Sequence, residues 1–132
     1  MNQYGRVALK AYEILVNNEV DCSKKAWRKA LEVEKVTDKE CPKNTFIGLS
    51  EAKLLKNCIG PRIPLGQDKN KNYAIIAVRI LKIDGLISKN DLLHKMIEKI
   101  GYLKTQYGNV ADVVLALWEK KYIEENNIDL IK

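Results

Sequence analysis

The sequence is poor in the residues from which metal sites, disulfide frameworks and many catalytic centres are built. It contains a single histidine, His94, and three cysteines, Cys22, Cys41 and Cys58, which lie far apart and form no C-x-x-C pair. An odd and scattered set of cysteines argues against a disulfide framework and against a cysteine-rich zinc site. We therefore predict neither a structural metal nor a cofactor.

Long apolar runs and recognisable catalytic motifs are also missing. No stretch reaches the roughly 18 apolar residues of a membrane span, and the N-terminus lacks the apolar core of a signal peptide. Phosphate-binding glycine loops, a nucleophile elbow and the H-E-x-x-H zinc motif do not occur. These absences predict a soluble, cytoplasmic chain without a membrane partner, and they favour a protein that is not an enzyme.

Helical periodicity is what the sequence does contain. Its 132 residues, 46% hydrophobic and 30% charged, are typical of one globular domain with a real core. A first apolar stripe recurs at helical spacing over Tyr4, Val7, Ala8, Ala11, Ile14 and Leu15. We predict an all-α fold, a compact single-domain bundle of about six helices over residues 1–132. The segment near 73–84 is almost wholly apolar and is expected to be the central helix.

Capping residues and Gly/Pro positions predict the helix boundaries. N-caps are expected at Ser23, Asn72, Ser88 and Asn109. Between these helices we predict a short helical turn over Pro42 to Ile47, a break at Gly48, and a further helix from a Ser50 cap to Cys58. Gly60-Pro61 would end that helix, leaving a long connector over residues 60–72.

The net charge of +6 and a pI near 9.2 make a polyanionic partner possible. Lysines are spread along the whole chain among acidic residues, however, so nucleic acid is only weakly supported. One segment, residues 45–57, can be aligned with a helix-turn-helix in which Gly48 is the turn. Lys53, Lys56 and Asn57 would then contact DNA, and this is our alternative hypothesis.

The leading hypothesis is a non-enzymatic binding or interaction domain whose ligand or partner is unknown. Its site would lie in residues 41–73, because scaffold periodicity leaves the polar and Gly/Pro choices there unexplained. An anionic ligand or a protein partner is possible, since lysines flank the expected start of a helix. An unrecognised enzyme site around Cys41 and a purely structural clasp remain open. The candidate residues are Cys41, Lys43, Phe46, Glu51, Arg62, Lys71, Asn72 and Tyr73.

The same segment resembles a small, uncharacterised bacterial protein family. The resemblance covers roughly residues 26–81 and consists of a tryptophan helix, a C-P-basic-x-x-F-x-G-L-x-E run and an N-K-x-Y-A run. Trp27, residues 41–51 and residues 70–74 match these three elements. The chain departs from the pattern at Asn57-Cys58, ahead of Ile59-Gly60. The family has no established activity, so the resemblance implies positions and no chemistry.

Overall fold

The computed structural model describes residues 2–101 and 107–131, which form six α-helices and one 3-10 helix. The α-helices are α1 (Gln3–Val16), α2 (Ser23–Glu34), α3 (Glu40–Glu51), α4 (Lys69–Ile83), α5 (Lys89–Ile100) and α6 (Tyr107–Glu119), and the 3-10 helix spans Glu125–Leu130. The described ranges contain no strand, only an isolated antiparallel bridge between Leu55 and Ile123. The all-α prediction of about six helices is therefore confirmed.

Helix α1 forms as the apolar stripe predicts. All six stripe residues are buried, and the Asn2 side chain caps the helix by accepting a hydrogen bond from the Tyr4 N–H at 2.7 Å. The buried face packs against α2 and α6. No helix within the described ranges has the length and apolar character that crossing a membrane requires.

Helix α3 is continuous from Glu40 to Glu51, so the predicted break at Gly48 and the predicted helix from Ser50 to Cys58 are both wrong. Gly48 is needed for close packing instead of for a turn. A Cβ on Gly48 would come within 2.6 Å of the Lys71 Cβ and 2.9 Å of its Cα on α4. The helix ends at Glu51 because the chain then turns through Lys53, whose φ is 61°.

Helix α4 begins three residues before the predicted cap at Asn72. Its N-cap is Asp68, whose Oδ1 accepts hydrogen bonds from the N–H groups of Asn70 and Lys71 at 2.8 and 3.2 Å. The helix ends at Ile83, close to the predicted end, and packs against α3, α5, α6 and the 3-10 helix. Helix α6 is also in the interior, because it packs against α1, α3, α4 and α5.

The start of α5 follows the predicted cap at Ser88, whereas the start of α6 does not follow the predicted cap at Asn109. The Ser88 hydroxyl accepts a hydrogen bond from the Asp91 N–H at 3.1 Å, and Gly101 ends α5 with a φ of 98°. Helix α6 already includes residue 107, so the predicted N-cap Asn109 lies within its first turn. Its apolar residues Val110, Val113, Val114 and Leu117 are buried nonetheless, and Trp118 is half-buried.

Candidate functional site

Glu51 fastens the connector between α3 and α4, residues 52–68. One carboxylate oxygen accepts a hydrogen bond from the Lys71 Nζ at 2.5 Å, and the other accepts one from the Leu65 N–H at 2.7 Å. Burial opposes ionisation of Glu51, but these hydrogen bonds and the charge of Lys71 outweigh it and hold the pKa of the carboxyl below its ordinary value. We call this ion pair between Glu51 and Lys71 the clasp.

Asp68 fixes the other end of the connector. While its Oδ1 caps α4, its Oδ2 accepts a hydrogen bond from the Nδ2 of the buried Asn44 on α3 at 3.2 Å. The connector is thus tied to α3 at both Glu51 and Asp68. Between these ties, residues 61–65 form a wall that faces α2 and α3.

A groove of about 560 Å³ lies between the start of α2, one side of α3 and this wall. Five of the residues that line it are basic, and none of the described lining residues is acidic or a histidine. We call it the basic groove. Its cations come from α2, from α3 and from the connector, and they are Lys24, Lys25, Arg28, Lys43 and Arg62.

Three of these cations have acidic partners just outside the lining. Asp21 lies 3.0 Å from the Nζ of Lys25 and 3.6 Å from Arg62, and Asp38 lies 3.8 Å from the Nζ of Lys43. The hydrogen bond from Lys25, with the charges of Lys25 and Arg62, lowers the pKa of Asp21 despite the opposing effect of desolvation. The negative charges of Asp21 and Asp38 therefore offset part of the positive charge at the edge of the groove.

Lys24 and Arg28 form no ion pair with any residue that the structure describes. They lie one turn apart on α2, where two like charges repel each other. The N-cap of α2 is Cys22, which makes no side-chain capping bond, and the first turn holds no acid. The predicted cap Ser23 is wrong, because Ser23 is already the first helical residue and its buried hydroxyl lacks a partner among the described residues. The positive end of the α2 dipole therefore adds to the positive charge of the groove.

Of the predicted site residues, Lys43 and Arg62 converge on the basic groove. Phe46 does not, because it is fully buried and packs against Trp27 with ring centroids 5.7 Å apart. The Trp27 indole N–H in turn donates to Asp38 Oδ1 at 3.1 Å. Phe46 is a core residue that supports α3 and is unavailable to a ligand.

The other predicted residues lie away from the groove. Asn72 is exposed and, with Lys71 and Arg79, lines a separate cavity of about 340 Å³ beside the start of α4. Tyr73 is half-buried and packs against the core. Cys41 is partly buried in the first turn of α3. The candidate set of residues 41–73 is therefore divided between the groove, the clasp, the core and this second cavity.

Sequence reasoning missed the three groove residues on α2. Lys24, Lys25 and Arg28 lie on the outer side of an amphipathic helix in the sequence pattern, and basic residues in such positions are usually only solvated. The sequence feature that could have identified this site is the pair Lys24 and Arg28, two like charges one turn apart with no acid between them. Only the packing of the connector beside α2 turns this face into one side of a groove.

The predicted helix-turn-helix over residues 45–57 is wrong as a structure. Lys53 and Asn57 have left-handed backbone angles, with φ of 61° and 56°, and lie outside any helix. Hydrogen bonds hold the backbone of Lys56 in place. Its N–H donates to the Tyr122 carbonyl at 2.9 Å, and its carbonyl accepts a hydrogen bond from the Tyr12 hydroxyl at 2.8 Å. The second helix, which would have presented these side chains to DNA, does not exist.

The described residues contain no cluster of three or more His, Cys, Asp and Glu side chains suited to a metal ion. Burial raises the pKa of the Cys58 thiol to about 12, so this thiol stays protonated and weakly nucleophilic at neutral pH. His94 is exposed on α5 and lines neither the basic groove nor the cavity beside α4. The chemistry displayed most clearly is therefore the positive charge of the basic groove.

The chain belongs to a family of unknown function (DUF6979), whose model matches residues 1–124. This membership is consistent with the resemblance to an uncharacterised family over residues 26–81. No curated protein and no solved structure matches the chain.

Proposed function

We propose that this protein is a non-enzymatic binding protein that holds an anionic ligand in the basic groove. The observation that carries the proposal is the convergence of five cations from three separate segments on a groove whose described lining contains no acid. Like charges that face one another raise the energy of the empty groove. An anion bound between them would remove that repulsion.

Lys24 and Arg28 would make the strongest contacts with the ligand. A guanidinium offers paired N–H donors that match a carboxylate or a phosphate, and a lysine ammonium adds a mobile charge. Lys25, Lys43 and Arg62 already have acidic neighbours, so their contribution would be smaller. The N–H groups of Lys24 and Lys25 in the first turn of α2, which no side chain caps, would add donors, whereas the Ser23 N–H already donates to the Gly60 carbonyl at 3.4 Å.

The lining supports binding better than catalysis. Asn44 is the uncharged polar residue of the described lining and Cys22 contributes a thiol, and both are buried, at 7% and 3% exposure. A general base that could accept a proton near neutral pH is absent from the described lining. A cytoplasmic location belongs to the same proposal, which the free thiols of Cys22 and Cys58 support.

Nucleic-acid binding and an enzyme site around Cys41 stay predictions. The first has lost its helix-turn-helix, although phosphate groups are one kind of anion that the basic groove could attract. For the second, the described residues offer no cluster of three or more possible metal ligands. Neither alternative rests on a feature as specific as the basic groove.

Titration of the ¹⁵N-labelled protein with inorganic tripolyphosphate at low ionic strength tests the proposal. We expect changes of the amide chemical shifts centred on residues 22–28 and 61–65. The affinity for tripolyphosphate should fall as salt is added. The variant Lys24→Glu/Arg28→Glu should bind about tenfold more weakly or worse, since losing a charge-assisted contact costs about 1.4 kcal/mol or more.

The matched control is Lys95→Glu/Lys99→Glu, which makes the same change of charge one turn apart on the exposed face of α5. It should keep nearly the full affinity. Equal losses in the two double variants would show that net charge alone attracts the anion. Such a result, or shift changes centred elsewhere, would contradict the proposal.

A further inference from the structure

We infer that the ligand of the basic groove is an acidic peptide segment carrying aliphatic side chains. This inference rests on the proposed function and specifies its partner. Besides its cations, the groove has an apolar part, formed by its floor and by its connector side. The apolar lining consists of Cys22, Ile47, Pro61, Ile63, Pro64 and Leu65.

The apolar lining is open to a ligand at the connector. Ile63 is 79% exposed, although it faces a groove whose other lining includes the nearly buried Ile47. An aliphatic side chain placed here would remove apolar surface from water on both partners. A simple inorganic anion cannot use this surface, so the groove is suited to a ligand with both carboxylates and hydrocarbon.

The spacing of the two unpaired cations matches an extended peptide. Lys24 and Arg28 are four residues apart on a helix, which separates them by about 6 Å along its axis. Alternate residues of an extended chain project from one face at intervals of about 6.6 Å. Acidic side chains at alternate positions could therefore face Lys24 and Arg28, while the intervening side chains project from the opposite face of the peptide, beside the apolar lining.

The connector also has unused backbone groups. The N–H and C=O groups of Arg62 and Ile63 form no hydrogen bond with other residues that the structure describes. Pro61 and Pro64 on either side have no N–H to donate. An extended peptide lying along residues 61–64 could pair with these free groups, as a strand pairs with an exposed edge.

A nucleic acid uses the same cations but has no use for this lining. Bases of single strands bind proteins chiefly by stacking on aromatic rings. No aromatic ring occurs among the described lining residues, and Trp27 and Phe46 nearby are 1% and 0% exposed. The groove therefore favours carboxylates with aliphatic neighbours over phosphates with bases.

The test compares three fluorescent probes on the full chain at low ionic strength. The first is a short peptide in which Asp and Glu alternate with leucine, the second replaces each leucine with serine, and the third is an oligothymidylate of equal charge. We expect the leucine peptide to bind about tenfold more tightly than the serine peptide, as burial of one leucine side chain implies. The oligothymidylate should bind more weakly than the leucine peptide.

Two variants locate the effect. Ile63→Ser changes an exposed side chain and should remove the preference for leucine while leaving the serine peptide unaffected. Lys24→Glu/Arg28→Glu should weaken both peptides, and Lys95→Glu/Lys99→Glu should weaken neither. Equal affinity for the two peptides would overturn this inference and leave anion binding standing, and tighter binding of the oligothymidylate would replace the peptide with nucleic acid. Failure of tripolyphosphate and of all three probes to bind would overturn the proposed function itself.

Discussion

At the scale of single residues, Lys24 occupies a position that favours a ligand over the fold. It lies in the first turn of α2, where the helix dipole favours an acid, and one turn before Arg28, which has the same charge. Both relations destabilise the empty protein slightly. A residue chosen only for stability at this position would be Glu or Asp.

Replacing Lys24 with Glu should therefore stabilise the protein while weakening anion binding. The new carboxylate would interact with the helix dipole and with Arg28, which together contribute roughly 0.5–1 kcal/mol. Thermal unfolding and tripolyphosphate titration of the same preparation measure the two effects. A lower melting temperature would mean that Lys24 makes a stabilising contact and was not selected for binding.

Glu51 is the residue whose ionisation holds the connector in place. Its pKa lies below the ordinary 4.5 because the hydrogen bonds and charge of Lys71 and the Leu65 N–H outweigh desolvation. A lowered folded-state pKa means that the carboxylate stabilises the fold above about pH 4.5, and that this contribution is lost as the pH falls through the lower folded-state value.

Glu51→Gln should lower the free energy of unfolding by about 1–3 kcal/mol at neutral pH. The difference from the parent protein should shrink as the pH falls below the ordinary pKa and should vanish below the lower folded-state pKa, where the parent carboxylate is protonated as well. Urea unfolding of both proteins over a pH series measures this difference in the free energy of unfolding. Glu19→Gln, which removes an exposed partner of Lys29, is the control and should change little. A difference that stayed constant with pH would show that the charge of Glu51 is not what fastens the connector.

At the scale of helices, α1 and α3 show what a sequence can and cannot predict. The stripe of α1 follows from local periodicity, and all of its residues are buried as predicted. The break predicted at Gly48 failed because a glycine within a helix has two explanations, a turn or a close neighbour. The neighbour here is Lys71, which is 23 positions later in the sequence and invisible to local patterns.

Gly48→Ala distinguishes the two explanations. Alanine favours a helix over glycine by about 1 kcal/mol, but its methyl group would overlap with the Lys71 backbone and side chain. We expect a net destabilisation of about 1–3 kcal/mol, measured by urea unfolding. Gly108→Ala in α6, where a Cβ would meet nothing within 4 Å, is the matched control and should stabilise. Stabilisation at both positions would show that α3 and α4 can separate easily.

At the scale of the whole molecule, the basic groove depends on contacts between distant segments. The net charge of +6 indicated an anion without indicating where it would bind, because basic residues occur in every part of the sequence. Lys43 and Arg62 could be proposed from their unusual local context. Lys24 and Arg28 could not, since their role requires the connector to lie beside α2, and the clasp that places it there joins Glu51 with Lys71.

A second long-range contact joins the first helix to the last segment. The Tyr12 ring stacks on Tyr122 with centroids 4.0 Å apart, and its hydroxyl donates to the Lys56 carbonyl. Tyr12→Phe should keep the stacking and lose about 1 kcal/mol of stability. Burial, with smaller effects from Cys58 and Tyr122, raises the pKa of Tyr12 to about 12, so the loss should be constant from pH 6 to 9.

Chemical denaturation of Tyr12→Phe and of the parent protein at several pH values between about 6 and 9 measures this loss of stability. Tyr122→Phe is the control, because the structure gives its hydroxyl no hydrogen bond among the described residues. It should leave both stacking and stability nearly unchanged. An equal loss in the two variants would assign the effect to ring packing and not to the Tyr12 hydroxyl.

Because the Trp27 indole is hydrogen-bonded to Asp38, the fluorescence of Trp27 should respond to ligand binding in the basic groove. Asp38 bonds the indole through Oδ1, and its Oδ2 lies 3.8 Å from the Nζ of Lys43. A ligand that draws Lys43 into the groove would alter the electric field at the indole and so shift its fluorescence emission. With Trp118→Phe removing the other indole, the emission of Trp27 should follow ligand concentration without any added label, and Asp38→Asn should abolish the response.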